Sequence, residues 1–179
     1  MEWNVVVTTH DEGFDRAESE LEDFGRVART DYFNVLVMKV DDPDAFLEEL
    51  ADRATLVPDL FERVVARVTP VSHTFTFQDA DEFEERGGRI ARALAPDLAS
   101  GSFYVRVHRR GMKGELASDE AERALAGAAF EALEERGMEA EVDFDDPDAV
   151  LVVETVDSRA GARLLDREML ERHPIVDPG

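Results

Sequence analysis

The residues best able to do chemistry lie between Ser102 and Gly114, which reads Ser-Phe-Tyr-Val-Arg-Val-His-Arg-Arg-Gly-Met-Lys-Gly. As a strand, this stretch places Phe103, Val105 and Val107 on one face and Tyr104, Arg106, His108 and Arg110 on the other. Arg109 and Lys113 add cations in and beside a loop punctuated by Gly111 and Gly114. From Arg86 to Lys113 the chain holds seven of its 20 basic residues and one of its 42 acidic ones, Asp97. Arginine presents a planar fork of donors that matches phosphate, and an aromatic ring on the same face can stack on an unpaired base. Arg86, Arg89 and Arg92 recur every three residues along a predicted helix and extend the cationic set. The competing reading is that these arginines pair with carboxylates of neighbouring helices, in exposed pairs that are individually worth little.

Other chemistry finds no pattern to carry it. There is no cysteine, so thiol nucleophiles, disulfides and Cys-based zinc sites are excluded. His10, His73, His108 and His173 are scattered, with no second histidine three or four residues away to make a helix-borne metal pair. His10-Asp11-Glu12 reads as a strand-to-helix turn with Asp11 as N-cap. Asp143, Asp145, Asp148 and Glu154 imitate a calcium loop, but Asp148 stands where that loop needs glycine for its sharp turn. The glycines fit neither phosphate-binding fingerprint, and no nucleophile elbow is present. The expectation is no catalytic residue, no metal and no cofactor.

The 179-residue chain carries a net charge of −22, yet 44% of its residues are hydrophobic, which is enough to build a core against self-repulsion. Lysine occurs only at Lys39 and Lys113, so the basic complement is almost all arginine. An acidic, lysine-poor surface suits a very salty cytoplasm, where at about 1 M salt the Debye length is roughly 3 Å. No apolar run approaches the ~20 residues that span a bilayer, and the amino terminus lacks a secretory pattern. A cytoplasmic protein without membrane association is expected.

The pattern that must position these residues is mixed. Asn4 to Thr9 reads as a strand, followed by a helix with apolar residues at Phe14, Ala17 and Leu21. A strand pair follows at Val27 to Thr30 and Val35 to Val40. Asp42 caps a second helix with Pro43 at its first turn, and a strand covers Glu62 to Val68. This βαββαβ order over residues 1–69 is ferredoxin-like. Thr69-Pro70 marks the boundary, with 70–179 as a second domain. There the spacing predicts helix, helix, strand, helix, strand, strand, with Gly87-Gly88 marking either a break or a close approach, and Ser118 capping the helix that ends near Gly137. Ala140, Val142 and Phe144 alternate as a short strand, and Val150 to Val153 is a buried one. The fold class is α+β.

That order, together with Phe103 to Lys113, the Asp146-Pro147-Asp148-Ala149-Val150 turn and Val152-Val153-Glu154, resembles the THUMP domain of tRNA-modifying proteins. Thr74-Phe75-Thr76-Phe77 and Glu82-Phe83-Glu84 resemble the stand-alone THUMP adaptors that assist a tRNA cytidine acetyltransferase in forming N4-acetylcytidine. The resemblance implies a non-catalytic adaptor that binds the acceptor stem and 3′ end of tRNA. The residues it assigns to RNA are Arg106, His108, Arg109, Arg110 and Lys113, to which the charge pattern adds Arg86, Arg89 and Arg92, and the shared strand face adds Tyr104. The alternatives are a tRNA-modifying enzyme with an unrecognised site, or a protein-interaction module. With so acidic a remainder, tRNA affinity is expected to rise or stay level from low salt to about 1 M KCl, as long-range repulsion is screened before bonds at hydrogen-bond range weaken. Titrating affinity against KCl, with circular dichroism on the same samples, checks this. A steep monotonic fall in affinity of a folded protein would contradict it.

Overall fold

Consecutive valines favour extended backbone and tolerate burial on both sides, and Val5, Val6 and Val7 open the first strand, β1 (Val5–Thr9), with all three buried. The computed structural model, which describes residues 1–179, continues with α1 (Phe14–Leu21), β2 (Arg26–Arg29), β3 (Val35–Lys39), α2 (Pro43–Leu56) and β4 (Val65–Pro70). These strands form one antiparallel sheet in the order β2-β3-β1-β4, the ferredoxin-like arrangement. Asp42 caps α2 as its sequence predicts, accepting from the Asp44 and Ala45 N–H groups at 3.0 and 3.2 Å, with Pro43 in the first turn.

Several boundaries differ from the sequence reading. Asp11 does not cap α1: Gly13 holds that position, and the Asp11 carboxylate accepts from Asn34 Nδ2 at 2.8 Å instead. The segment read as a strand from Glu62 opens with a π-helical turn at Leu60–Val64 before β4 starts. Pro70 does not break β4 but ends it opposite Val5, which is permissible because β4 is an edge strand. The chain divides between Val71 and Ser72, and Leu170–Asp177 joins the first unit. That segment is tied there by the Val68 N–H, which donates to the Ile175 carbonyl at 3.0 Å, and by Arg172, which pairs with Glu48 at 2.7 Å. Sequence periodicity does not register such a return.

The second unit comprises Ser72–Met169 and Pro178–Gly179. Its elements are β5 (His73–Thr76), α3 (Ala80–Leu94), β6 (Ser102–His108), α4 (Ser118–Glu135), β7 (Glu141–Val142), β8 (Ala149–Val156) and β9 (Arg159–Asp166), with α5 (Arg167–Arg172) leaving it. The sheet order is β5-β9-β8-β6-β7, with β6 parallel to both neighbours and the other pairs antiparallel. Phe103, Val105 and Val107 enter a core with Phe77, Phe83, Leu125, Leu133, Leu151 and Val153. Full burial of each such side chain contributes about 1.5–3 kcal/mol before entropy is counted. Gly87-Gly88 does not split α3, which is one helix capped by Asp79. A Cβ on Gly87 would stand 2.9 Å from Leu125 Cδ2 on α4, so the glycine marks a close approach of helices. The two helices predicted before β6 are thus one, followed by a short 3-10 turn at Ala95–Leu98, and α4 starts at Ser118 itself, without a side-chain cap. The alternating Ala140 to Phe144 forms only the two-residue β7, after which the chain turns. The whole is α+β, and no helix is long and apolar enough to cross a membrane.

One ionic interaction is built into this sheet. Glu154 on β8 is fully buried and is paired with the Arg110 guanidinium, itself only 13% exposed. The Arg110 main chain is fixed as well, because its N–H donates to Thr155 Oγ1 at 3.0 Å and its carbonyl accepts from the Asp157 N–H at 2.9 Å. Removing one partner of a buried pair strands the other charge, so Arg110→Ala is expected to destabilise the second unit by about 3–5 kcal/mol. Replacing both, as Arg110→Met with Glu154→Leu, is expected to recover most of that stability. Urea denaturation of the three proteins measures it.

Candidate nucleic-acid interface

The cationic residues singled out in the sequence fall into four environments. Arg86, Arg89 and Arg92 lie on α3, which packs chiefly on α4, β5 and β9, whereas β6 packs on β8, β7 and α4. Arg86 pairs with Glu82 and donates to the Thr76 carbonyl; Arg89 pairs with Glu85 at 2.6 Å; Arg92 reaches Glu135 at 2.5 Å and Glu131 at 3.6 Å. These helix arginines therefore have carboxylate partners and are not gathered onto β6. Arg110 is committed to Glu154. Neither environment resembles an open phosphate site.

The third environment is the polar face of β6. Tyr104, Arg106 and His108 do share it, as alternation requires. The Arg106 guanidinium lies over the Tyr104 ring, 5.3 Å from its centroid, and 3.8 Å from a Glu122 oxygen. On its other side the Tyr104 hydroxyl, the Arg106 Nε and the His108 Nε2 all meet main-chain oxygens of Pro178 and Gly179, at 2.8 to 3.2 Å. The fourth environment is the loop after β6. Gly111 and Gly114 take positive φ, as the turn demands, and Met112 adopts the same left-handed region. Arg109 donates to the Gly111 carbonyl of its own loop, and exposed Lys113 forms no ion pair. Arg109 and Lys113 are thus the cations of the set not engaged by a carboxylate.

Sequence reasoning missed the residues that hold this region in place. Beyond Phe103, β6 has no strand neighbour on the β7 side, since only Ser102 and Phe103 pair with β7. The Val107 N–H on that open edge donates instead to the Glu122 carboxylate from α4, at 2.9 Å. A cleft of about 270 Å³ runs beside the edge, floored by Phe103, Val105, Ala126 and Val142. Phe144, 69% exposed, stacks on Tyr104 with centroids 5.5 Å apart. An aromatic within an aspartate-rich turn was the available signal for Phe144, and a lone acid in the apolar run of β8 was the signal for Glu154.

The turn before β8 is pinned by charge. Asp148 accepts from the Ser102 N–H at 2.9 Å and meets Arg167 at 3.3 Å, and these hold its carboxyl below the usual carboxylate range, the Ser102 N–H first. Asp143 is lowered likewise by the Asp146 and Asp145 N–H groups. Neither carboxylate is free to act as a proton shuttle near neutrality.

The geometry defines an α+β protein whose second unit offers one cationic loop and one aromatic-cationic strand face, within an acidic surface. Residues 78–161 match the THUMP domain model, so this unit carries a THUMP domain. Among solved structures, TrmN from Thermus thermophilus is 19% identical over 91% of this chain and 45% of its own, with a TM-score of 0.63. PH1313 from Pyrococcus horikoshii Ot3 is 13% identical over 92% of this chain and 55% of its own, at 0.58. A predicted N6-adenine-specific DNA methylase from Listeria monocytogenes is 16% identical over 92% and 40%, at 0.53. These likenesses establish a shared fold, and the chain spans about half the length of the structures it matches. No curated protein sequence matches it.

A carboxylate with a lowered pKa contributes stability that is present above its unfolded value, near 3.9, and lost as pH falls through the folded one. Asp148→Asn is therefore expected to lower Tm at pH 7 and to flatten the fall in Tm as pH drops below about 4. Melting curves across that range check both effects.

Proposed function

We propose that this chain is a tRNA-binding adaptor: it holds tRNA through its THUMP domain while a separate acetyltransferase forms N4-acetylcytidine. The observation that carries this reading is that the THUMP match spans β6 and its loop, the place where basic residues are concentrated in an acidic chain. Arg109 and Lys113 supply the first phosphate contacts. Arg106 and His108 add donors along the strand, and exposed Phe144, backed by the buried Tyr104 ring, offers an aromatic surface for an unpaired base. The pairs made by Arg86, Arg89 and Arg92 are surface pairs of small net worth, so those arginines exchange carboxylate for phosphate with little penalty if RNA reaches α3. Arg110 acts by holding β6 to β8. The acceptor stem and 3′ end are the expected target, since single-stranded ends expose the bases that aromatic faces recognise.

Two measurements test this. Arg109→Ser with Lys113→Ser is expected to weaken tRNA binding about tenfold and to move the slope of log affinity against log salt in the positive direction by about 0.7–0.9 for each phosphate that is no longer neutralised. Arg53→Ser with Arg63→Ser, in the other unit, should leave binding unchanged. Equal weakening by both pairs would refute a localised site. Adding the chain to a tRNA cytidine acetyltransferase with tRNA and acetyl donor should raise N4-acetylcytidine yield. Turnover by the chain alone would instead establish the enzyme reading.

A further inference from the structure

Three side chains on alternate residues of β6 converge on one short piece of main chain. The Tyr104 hydroxyl donates to the Gly179 oxygen at 3.1 Å, and Arg106 Nε donates to the same atom at 3.2 Å. His108 Nε2 stands 2.8 Å from the Pro178 carbonyl oxygen, and because a carbonyl only accepts, this nitrogen carries the proton. The fit is specific to the residues present. Gly179 adopts φ +86°, and a Cβ there would lie 3.2 Å from His108 Cε1. Tyr104 is only 7% exposed as a result of this packing and of Phe144.

Carbonyl and phosphate oxygens accept from the same donors, and neither Tyr104 Oη nor His108 Nε2 has a second proton to offer. We infer that Pro178–Gly179 is a built-in competitor for the donor row of β6, which the segment and an RNA phosphate occupy in turn. This rests on the reading that β6 faces RNA. The segment is covalently tethered, so its local concentration is high, but each of its hydrogen bonds has small net worth. Arg106 is charged whichever acceptor it holds, so its bond is charge-assisted with both occupants. What an RNA adds is further phosphates for Arg109 and Lys113, which the segment does not touch. The segment therefore yields to RNA, while lowering apparent affinity by the fraction of molecules in which it is seated. It also sets a threshold against weak anions, whose binding does not offset its displacement.

The test leaves every donor in place. Deleting Pro178 and Gly179, or introducing Gly179→Val, unseats the segment, and each change is expected to tighten tRNA binding about three- to tenfold. In the unaltered chain, the Gly179 amide resonance should move to a free-peptide position as tRNA saturates the protein. Unchanged affinity in both variants, or an unmoved Gly179 resonance in a saturated complex, overturns the inference while leaving tRNA binding intact. Absence of tRNA binding by all forms, with the fold confirmed by circular dichroism, overturns the functional reading and this inference together.

Discussion

Strand β6 pairs with β8 along nearly its whole length and with β7 at only two residues. That imbalance governs the second unit. An edge left open must have its main-chain groups satisfied from elsewhere or exposed to water, because a buried unpaired N–H carries a penalty comparable to a missing hydrogen bond. Here the satisfaction is local and piecemeal. The Glu122 carboxylate takes the Val107 N–H, and the Phe103 carbonyl accepts from the Asp143 N–H. The side chains of the strand are divided as strictly: one face is core, and the other must find polar partners in Pro178, Gly179 and Glu122.

The same strand explains why so few of its charges are free. Burying Glu154 in β8 requires a cation within the sheet, and Arg110 is placed where the strand ends and its neighbour still runs. The carboxylates that outnumber cations across the molecule take most of the rest. What distinguishes Arg109 and Lys113 is position beside a left-handed turn after β6, where neither forms an ion pair with a carboxylate. An arginine-rich complement suits this division, since a guanidinium can hold a carboxylate with one edge and keep other donors available.

Much of the architecture was legible because hydrophobic period reports burial directly. The βαββαβ order, the Asp42 cap, the core face of β6 and the buried strand β8 all followed from spacing and turn residues. The errors share a cause, which is that long-range contacts leave no local period. Asp11 was claimed by Asn34 across the sheet, and the return of Leu170–Asp177 depends on Val68 and Glu48, far away in sequence. The nine-residue site was legible as a concentration of charge but not as a constellation. Charge pattern could not tell that Arg110 answers a buried acid, or that the three helix arginines each had a partner within a turn or across to α4.

The close passage of α3 over α4 at Gly87 carries a consequence for anyone re-engineering this molecule. Exchanging a mid-helix glycine for alanine ordinarily gains up to about 1 kcal/mol of helix propensity. At Gly87 the added methyl would meet Leu125 Cδ2 at 2.9 Å, so it fits only if that fully buried side chain shifts, which offsets the gain. Gly88, whose nearest neighbour would be Ala128 Cβ at 3.7 Å, has room. Adjacent, chemically identical residues thus stand on opposite sides of the line between a stabilising replacement and a disruptive one.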